Sequence, residues 1–392
     1  MSDRPYDVVV FGATGFTGGL TAEYLAAHAD GTRWALAGRN RAKLEQTRAR
    51  LAVIDASAGD LDLLEADAGD PPSLRGVAES ASVVITTVGP YIRYGEPLVA
   101  ACAEAGTDYV DLTGEPEFVD RMWLAHHARA EQTGARLVHS CGFDSIPHDL
   151  GVLYTVDRLA EGVPITVEAF VRANGTISGG TYHSTVEILG RLREGRKVAA
   201  ERRRLEPRPD GRVVKGLSPA PHRDQTGGGW VVAPPLIDPL VVLRSARGLD
   251  RYGPDFRYAH YIVVKRLPSL VLLGAGVVTL GALAQLKSTR DLLLLVKDPG
   301  DGPSEAKRAN SWFSVRFKGE GGGRRVITEV SGGDPGYEET AKMLAESALC
   351  LAHDELPATA GQVTPAVAMG RPLIDRLQRA GIGFETRSEE PV

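Results

Sequence analysis

The sequence predicts an α/β protein: a doubly wound parallel sheet, then a second α+β domain on a mixed, mostly antiparallel sheet. Three observations predict it. Strand-like and helix-like segments alternate six times over the first third of the chain, the alternation then stops, and 392 residues are more than one core usually holds. Residues 7–11, DVVVF, form a continuous apolar run, as in a strand buried on both faces. Residues 21–28 follow with helical spacing, 34–37 read as a strand and 41–52 as a polar helix. Residues 61–65 make a third strand, and DPPSLRGVAESA supplies a proline-started helix. Residues 83–88 form the fourth strand, 97–105 a helix closed by Gly106, and 109–112 the fifth strand. A helix over 117–133 and a strand over 136–139 complete the series. Parallel strands joined by helices require right-handed crossovers, hence a doubly wound sheet.

Beyond residue 142 the pattern changes. Residues 165–173, 256–264, 312–317 and 325–330 alternate as strands do, with few helices between them. Residues 181–204 read as one helix, and 337–353 as a long helix opened by Glu338 and Glu339. Residues 205–230 are rich in proline, glycine and charge and read as a long surface loop, a candidate lid.

Hydrophobic residues at 43% and charged ones at 24% describe an ordinary soluble chain. A net charge of −5 argues against nucleic acid as a partner. The three cysteines, Cys102, Cys141 and Cys350, are too dispersed for a disulfide framework or a CxxC pair, which points to a reducing compartment. The first residues lack signal-peptide features, so the cytoplasm is expected, with peripheral membrane contact as a variant. No metal site is expected: His126 and His127 point to different helix faces, and no HExxH occurs.

Between the first strand and first helix stands GATGFTGG, with Gly12, Gly15 and Gly18 in GxxGxxG spacing. There a dinucleotide pyrophosphate would meet backbone N–H groups of Thr14, Phe16 and Thr17. Gly12 permits the turn, Gly15 lets phosphates approach, and Gly18 allows close helix–strand packing. The alternative is a plain structural turn. The second strand ends in AGRN, without the carboxylate that would hold a ribose 2′-OH. Arg39, followed by Asn40, suits a 2′-phosphate, so NADP is the expected cofactor; a helix cap or solvent is the alternative for Arg39. Asp67 is a candidate acceptor for the adenine amino group or a cap for the next helix. Thr87, Val88, Gly89 and Pro90 end the fourth strand, at the edge where ligands collect.

With these residues on the page, GATGFTGG, AGRN, TTVGPYIRYGEPLVAACAEAGTDYVDLTGE and SCGFDSIPHDLG resemble the saccharopine dehydrogenase-like oxidoreductases. Among these the sequence is most similar to mycobacterial-type trans-acting enoyl reductases of complex lipid synthesis. SGGTYHST and GDPGYEETAKMLAESALCLA extend the likeness over nearly the whole chain. The resemblance implies an NADP-binding Rossmann domain over 1–142, a substrate or dimerisation domain over 143–335, and a helical segment over 336–392 packing back on the first domain. It supports the glycines at the phosphates and Arg39 at the 2′-phosphate. It also places the turn Cys141, Gly142, Phe143 and Asp144 beside the nicotinamide. It supplies no catalytic acid.

Reduction of an enoyl double bond creates an enolate, which needs a hydrogen-bond donor at its oxygen and a proton at its α-carbon. Tyr91, His148, Tyr182 and His183 are candidate donors, each with a structural role as its alternative. Cys141 has no cationic neighbour in sequence to make it a nucleophile. Residues 267–286 carry no charge, and read as a buried or dimer-interface helix, an acyl-lining or lipid-facing helix, or a membrane span. Residues 191–204 hold seven basic residues against Glu194 and Glu201: a solvated face, or a dock for an acidic carrier protein or anionic membrane surface.

The favoured function is NADPH-dependent reduction of a hydrophobic, lipid-linked enoyl substrate, such as an acyl thioester, by a homodimer. A saccharopine-like amino-acid dehydrogenase would need convergent arginines, with Arg93, Arg172 and Arg244 as candidates. A non-catalytic, lipid-associated NADPH-binding module is the third reading.

Overall fold

The computed structural model describes residues 4–29, 31–174, 179–234, 236–265, 267–295 and 303–392. Its strands in chain order are β1 (Tyr6–Phe11), β2 (Trp34–Gly38), β3 (Asp62–Glu65), β4 (Ala81–Thr86), β5 (Asp108–Val110), β6 (Arg136–Val138) and β7 (Ile165–Asn174). They continue with β8 (Val213–Leu217), β9 (His222–Asp224), β10 (Gly229–Val232), β11 (Asp255–Val264), β12 (Trp312–Gly321) and β13 (Arg324–Gly332). The last two are β14 (Gly361–Val363) and β15 (Gly383–Pro391).

The first sheet runs β14-β6-β5-β4-β1-β2-β3, with every pair parallel. The chain reverses its direction of travel between β1 and β4, so the crevice at their carboxyl ends is the topological switch point. Val8, Val9 and Val10 of β1 are fully buried, because helices cover both faces. On one side lie Phe16–His28 and Glu338–His353, on the other Pro71–Ser80, Glu96–Ala105 and Pro116–Thr133.

The second sheet runs β15-β13-β12-β7-β11-β10-β9, with β8 also on β11. It is antiparallel except for β7–β11 and β8–β11. The buried helix Ile146–Val156 leaves the first sheet and packs on β12 and β13, so one continuous core joins the two sheets.

Three parts of the second half depart from expectation. Residues 205–230 are not a structureless loop: β8, β9 and the start of β10 lie in them, with β8 and β10 paired to β11 and β9 paired to β10. Their signal is weak because their faces are largely solvated, and Gly228 turns the β9–β10 hairpin at φ +68°. The single helix expected over 181–204 is two, Gly179–Gly190 and Leu192–Leu205. After the helix Glu338–His353 the chain adds β14 to the first sheet and β15 to the second, so the last segment ties both sheets together. Three residues of strand at an edge leave too short a trace for periodicity to register.

Candidate active site

At the end of β1, Gly12 adopts φ +92°, and a Cβ there would stand 2.8 Å from both Thr87 Oγ1 and Val88 Cγ2. Gly18 is tighter still: its Cβ would lie 2.2 Å from the Gly12 carbonyl oxygen and 2.7 Å from Thr87 Oγ1. These two glycines let the first helix start directly against the ends of β1 and β4. Gly15 differs, since it is exposed and its Cβ would meet only the Gly12 oxygen at 3.4 Å. Gly15 caps the helix Phe16–His28 without a side-chain hydrogen bond, and the first-turn N–H groups of Phe16, Thr17 and Gly18 have no intrahelical acceptor. Thr14 is exposed on the turn, and the Phe16 ring is held edge-on by Tyr337, 4.9 Å away. The result is a cradle of backbone donors at a helix N-terminus, open where a pyrophosphate would approach.

Arg39 lies exposed at the end of β2 and makes no ion pair among the described residues. Asn40 is occupied, accepting from the Lys43 N–H at 3.0 Å as the cap of helix Arg41–Leu51. Its Oδ1 is thus engaged in the helix cap, while the residue itself stays exposed. Asp67 does not cap the next helix: its Oδ1 accepts from the Gly69 N–H at 2.8 Å and its own N–H donates to Ser73 Oγ at 3.1 Å, closing a turn after β3. Together, an open cradle, an exposed cation just after β2 and the lack of an acid at the end of that strand fit a dinucleotide carrying a 2′-phosphate.

Beyond β4, Thr87 Oγ1 donates to the Gly12 carbonyl at 3.3 Å and the Val88 N–H to Thr86 Oγ1 at 3.2 Å. The Gly89–Pro90 peptide is cis. Tyr91, expected as a donor to substrate, is a structural residue. Its buried hydroxyl donates to the Thr86 carbonyl and accepts from the Leu112 N–H, both at 3.2 Å. Burial, then the Asp111 carboxylate, hold its phenol far above the ordinary range. The buried Glu115 anchors this rim by accepting from the N–H groups of Tyr91 and Ile92 and from Ser184 Oγ. Asp111, at the end of β5, accepts from Tyr109 Oη at 2.9 Å and lies 2.6 Å from His139 Nδ1.

The turn after β6 passes directly into a second, interior cluster. Cys141 is buried with its thiol on the Val138 carbonyl at 3.5 Å, and desolvation raises its pKa far above the normal thiol value, so it is no nucleophile. Gly142 is pressed between Leu112 and Thr340, and the Phe143 N–H donates to Thr340 Oγ1 at 3.1 Å. Asp144 keeps part of its surface accessible, and its Oδ2 lies 3.1 Å from where a Cβ on Gly114 would be. Burial, then the carboxylate of Asp238, push it up to about 6, against a lowering by His148.

His148 is buried in the first turn of helix Ile146–Val156. Its Nδ1 stands 2.9 Å from Asp238 Oδ1, within ion-pair distance but off the hydrogen-bonding direction, so neither atom has a hydrogen-bond partner. The His148 ring lies 5.0 Å from that of His260 and 5.5 Å from Phe143. His260 Nδ1 is 3.0 Å from Tyr258 Oη, and desolvation holds this imidazole down at about 4. Asp149, also buried, accepts from the Ala366 N–H at 2.9 Å and is raised by burial to about 7.

Tyr182 and His183 lie half-buried on helix Gly179–Gly190, and the Tyr182 hydroxyl donates to the Leu293 carbonyl at 3.1 Å. That bond commits Tyr182 to the helix beside it. The three arginines that would have to converge on a polycarboxylate are dispersed instead. Arg93 pairs with Glu187, Arg172 donates to the Gly227 carbonyl, and Arg244 pairs with Asp120. Of the basic stretch, Arg191 clamps onto Glu117 at 2.7 Å and Arg202 is buried between Asp120 and Glu206. Arg193, Arg196, Lys197 and Arg204 are exposed without ion pairs among the described residues.

Helix Leu267–Ala284 packs beside Gly179–Gly190, yet Gly274, Ala275, Gly276, Thr279 and Leu283 are exposed, so it is not a helix buried within one chain. Among the described residues, no helix is long and apolar enough to cross a membrane, and no group of three or more ligands could hold a metal. A cavity of about 420 Å³ lies at the amino ends of β1–β3 around Tyr6, Arg33 and Asp62, the wrong edge for a doubly wound site. A cavity of about 220 Å³ lies beside His139, Arg202 and Gln362.

Sequence reasoning missed Asp238, Tyr258, His260 and Glu115. For His260 a signal exists: Phe256, Tyr258 and His260 occupy alternate positions on the buried face of β11, and a histidine there is unusual. Asp238 stands before Pro239 and has the form of an ordinary helix start.

A doubly wound sheet with this cradle and no acid at β2 defines an NADP-binding oxidoreductase, and residues 8–138 match the family described as Saccharopine dehydrogenase NADP binding domain. A Mycobacterium tuberculosis H37Rv protein, provisionally named a trans-acting enoyl reductase, is 39% identical over 418 alignment positions, covering 98% of each chain. Trans-acting enoyl reductases of Mycobacterium bovis BCG and Mycobacterium ulcerans Agy99 are 37% and 35% identical, covering 98% and 97% of each chain. The fold also matches the saccharopine dehydrogenase (L-Glu forming) of Saccharomyces cerevisiae, at TM-score 0.55 and 14% identity over 99% of this chain and 100% of that one. The chain belongs to the saccharopine dehydrogenase-like oxidoreductases, in the family of the trans-acting enoyl reductases.

Proposed function

We propose that this protein is an NADPH-dependent reductase of the enoyl double bond in a hydrophobic, lipid-linked acyl thioester. The pyrophosphate rests on Gly15 and the N–H groups of Phe16, Thr17 and Gly18, and the 2′-phosphate on Arg39. Thr87 to Pro90 and the Cys141-to-Asp144 turn border the nicotinamide, whose bound form supplies the hydride. The chain's own tasks are to orient the enoyl group, stabilise charge on its carbonyl oxygen and deliver a proton to the α-carbon. Asp144, which ends that turn with part of its surface accessible and whose carboxyl is raised by burial and then by Asp238, is the candidate proton donor.

One structural observation carries the choice of substrate. Arg93, Arg172 and Arg244, which a multiply charged amino acid would require, are each bonded elsewhere in the fold. Exposed Leu283 and Leu286 beside helix Gly179–Gly190 support an apolar acyl partner, and the unpaired Arg193, Arg196, Lys197 and Arg204 support delivery by an acidic carrier.

The test follows NADPH oxidation with trans-2-dodecenoyl-CoA beside lysine plus 2-oxoglutarate. Oxidation with the thioester alone is expected. Oxidation with the amino-acid pair alone overturns the reading and returns it to an amino-acid dehydrogenase.

A further inference from the structure

Buried polar atoms normally find hydrogen-bond partners, and buried cations normally find anions. Neither rule is fully met around the cavity of about 220 Å³ at the carboxyl ends of β6 and β14. His139, Ser140 and Arg202 form the buried part of its lining, and the exposed Pro207 and Gly248 line it too, so it opens to solvent there. A chain of charges runs along one wall. Asp120 Oδ1 accepts from Arg244 and, at 3.1 Å, from Arg202; Arg202 donates on to Glu206 Oε1 at 2.7 Å, and Glu206 Oε2 accepts from Arg247 at 3.3 Å. Three guanidiniums thus share two carboxylates, with a cation at each end. Those end residues, Arg244 and Arg247, stand three apart on helix Asp238–Gly248 and so lie on one face of it. Arg244 uses only Nη2 in the chain and Arg247 only Nη1; their other guanidinium nitrogens make no hydrogen bond among the described residues. Burial lowers the pKa of Arg247; Glu206 opposes that, and Arg244, Arg208 and Arg203 add to it, as a surplus of positive charge does.

Two further lining residues, His139 and Gln362, each hold a buried atom without a partner, Nε2 and Oε1. The Asp111 carboxylate accepts from Tyr109 Oη and from the N–H groups of Thr113 and Ser140, so His139 presents its Nδ1 proton to it at 2.6 Å and Nε2 is left over. Gln362 Nε2 donates to the Val119 carbonyl at 3.0 Å, which leaves Oε1 over. A ligand matched to this cavity brings oxygens for two guanidiniums and a proton donor for the acceptors beside them. A phosphate monoester brings both, because it keeps an exchangeable proton near neutrality, whereas a carboxylate or a sulfate brings oxygens alone.

We propose that this cavity binds a phosphate monoester, held by Arg244 and Arg247 beside His139 and Gln362, and that the phosphate is the one at the end of the pantetheine arm carrying the acyl thioester. The second half of this rests on the enoyl-reductase reading. Val241, Val363 and Val367 give the stem of the arm an apolar wall. His139 and Ser140 lead without a break into the Cys141-to-Asp144 turn, so a phosphate anchored here leaves the thioester end of the arm to follow that turn. The site takes a single anion at the far flank of the sheet's carboxyl edge, apart from the cradle at Gly15.

Two measurements on the full chain test the site. The first, titration calorimetry, needs no turnover. Wild type is expected to bind 4′-phosphopantetheine at least about tenfold more tightly than pantetheine, and Arg247→Ala to cut that preference to within about threefold. Glu206→Gln releases Arg202 and Arg247 from their shared carboxylate and should tighten 4′-phosphopantetheine by about threefold or more; a charge chain with a purely structural role would give a loss or no change. Equal binding of the two pantetheines by wild type overturns the site. Inorganic phosphate binding as tightly as 4′-phosphopantetheine overturns the carrier arm and makes the ligand a free phosphate. If Arg247→Ala does not fold, Val367→Glu, which sets a carboxylate into the wall beside Gly248, is read for the same loss of preference. The second measurement compares the trans-2-dodecenoyl thioesters of the same two pantetheines with NADPH. The phosphate is expected to lower KM about tenfold and to leave kcat within about threefold. Equal KM values overturn the assignment to the carrier arm. A wild-type protein inert toward both thioesters overturns the enoyl reading, and calorimetry still decides whether the phosphate site exists.

Discussion

The turn Gly12–Gly18 and the cluster around His148 lie at the same end of the molecule and are built on opposite principles. The turn is made within a few consecutive residues, its backbone donors face outward, and no acidic side chain sits in it. The cluster draws Asp144 and His148 from one segment, Asp238 from another and Tyr258 and His260 from a third, and turns its polar atoms inward. A surface that must receive a preformed anion can be local and rigid. Polar groups whose pKa values are set by burial take several segments to arrange.

The most severe challenge to the outward-facing turn is Gly18→Ala. The added methyl would stand 2.2 Å from the Gly12 carbonyl, a backbone atom fixed by β1, so the helix start must move. A loss of NADPH affinity of about 100-fold or more is expected from overpacking of this kind, read by NADPH fluorescence titration. Gly15→Ala is the control, because its methyl meets only one atom at 3.4 Å. If Gly15→Ala keeps the wild-type melting temperature yet loses NADPH, Gly15 is a ligand-binding position and Gly18 a packing one. Equal, mild effects at both positions would contradict the tight turn.

The same contrast explains what the sequence made legible. A strand, a glycine turn and a helix in succession is a local pattern, and the parallel sheet follows from its repetition; Gly12, Gly18 and Thr87 meet as their spacing implies. Arg39 stands exposed just after β2, the position at which the sequence expects a 2′-phosphate reader. The hydroxyl of Tyr91 was illegible, since only the fold reveals that Leu112 and Thr86 occupy it. Asp238 looked like any residue before a proline-started helix, and what sets it apart is a histidine ninety positions earlier. Long-range pairing of polar groups leaves no period in a sequence. The edge strands β8–β10 and β14 were hidden for a related reason: a short or half-solvated strand has no continuous apolar face to show.

Arg39→Ala probes the outward-facing region more gently. Removing one charge-assisted bidentate interaction should weaken NADPH binding by about 10- to 100-fold, that is, about 1.5–3 kcal/mol, and leave NADH binding unchanged. Parallel titrations with the two cofactors check it. Equal reductions for both would remove Arg39 from the 2′-phosphate and leave NADP preference resting on the missing acid at β2 and the family match.

The smallest expected effect concerns the inward-facing region. Burial raises Asp149 to about 7, whereas in the unfolded chain it titrates near the ordinary aspartate value. Between those values the folded state binds more protons than the unfolded one, so this group makes stability fall as pH rises, down to its ionised limit above pH 7. His260 acts with the opposite sign at lower pH: its folded pKa of about 4 lies below that of a free histidine, so stability is lost as pH falls from about 6.5 toward 4. Asp149→Asn keeps an acceptor for the Ala366 N–H and removes only the first of these contributions. Relative to wild type, the variant should therefore gain about 0.7 kcal/mol of unfolding free energy between about pH 6.5 and 7.5, with the His260 contribution common to both proteins. Urea denaturation at the two pH values measures that difference. A variant that tracks wild type across this interval would mean that Asp149 is ionised in the fold at ordinary pH, and that its surroundings are solvated well enough to hold that charge.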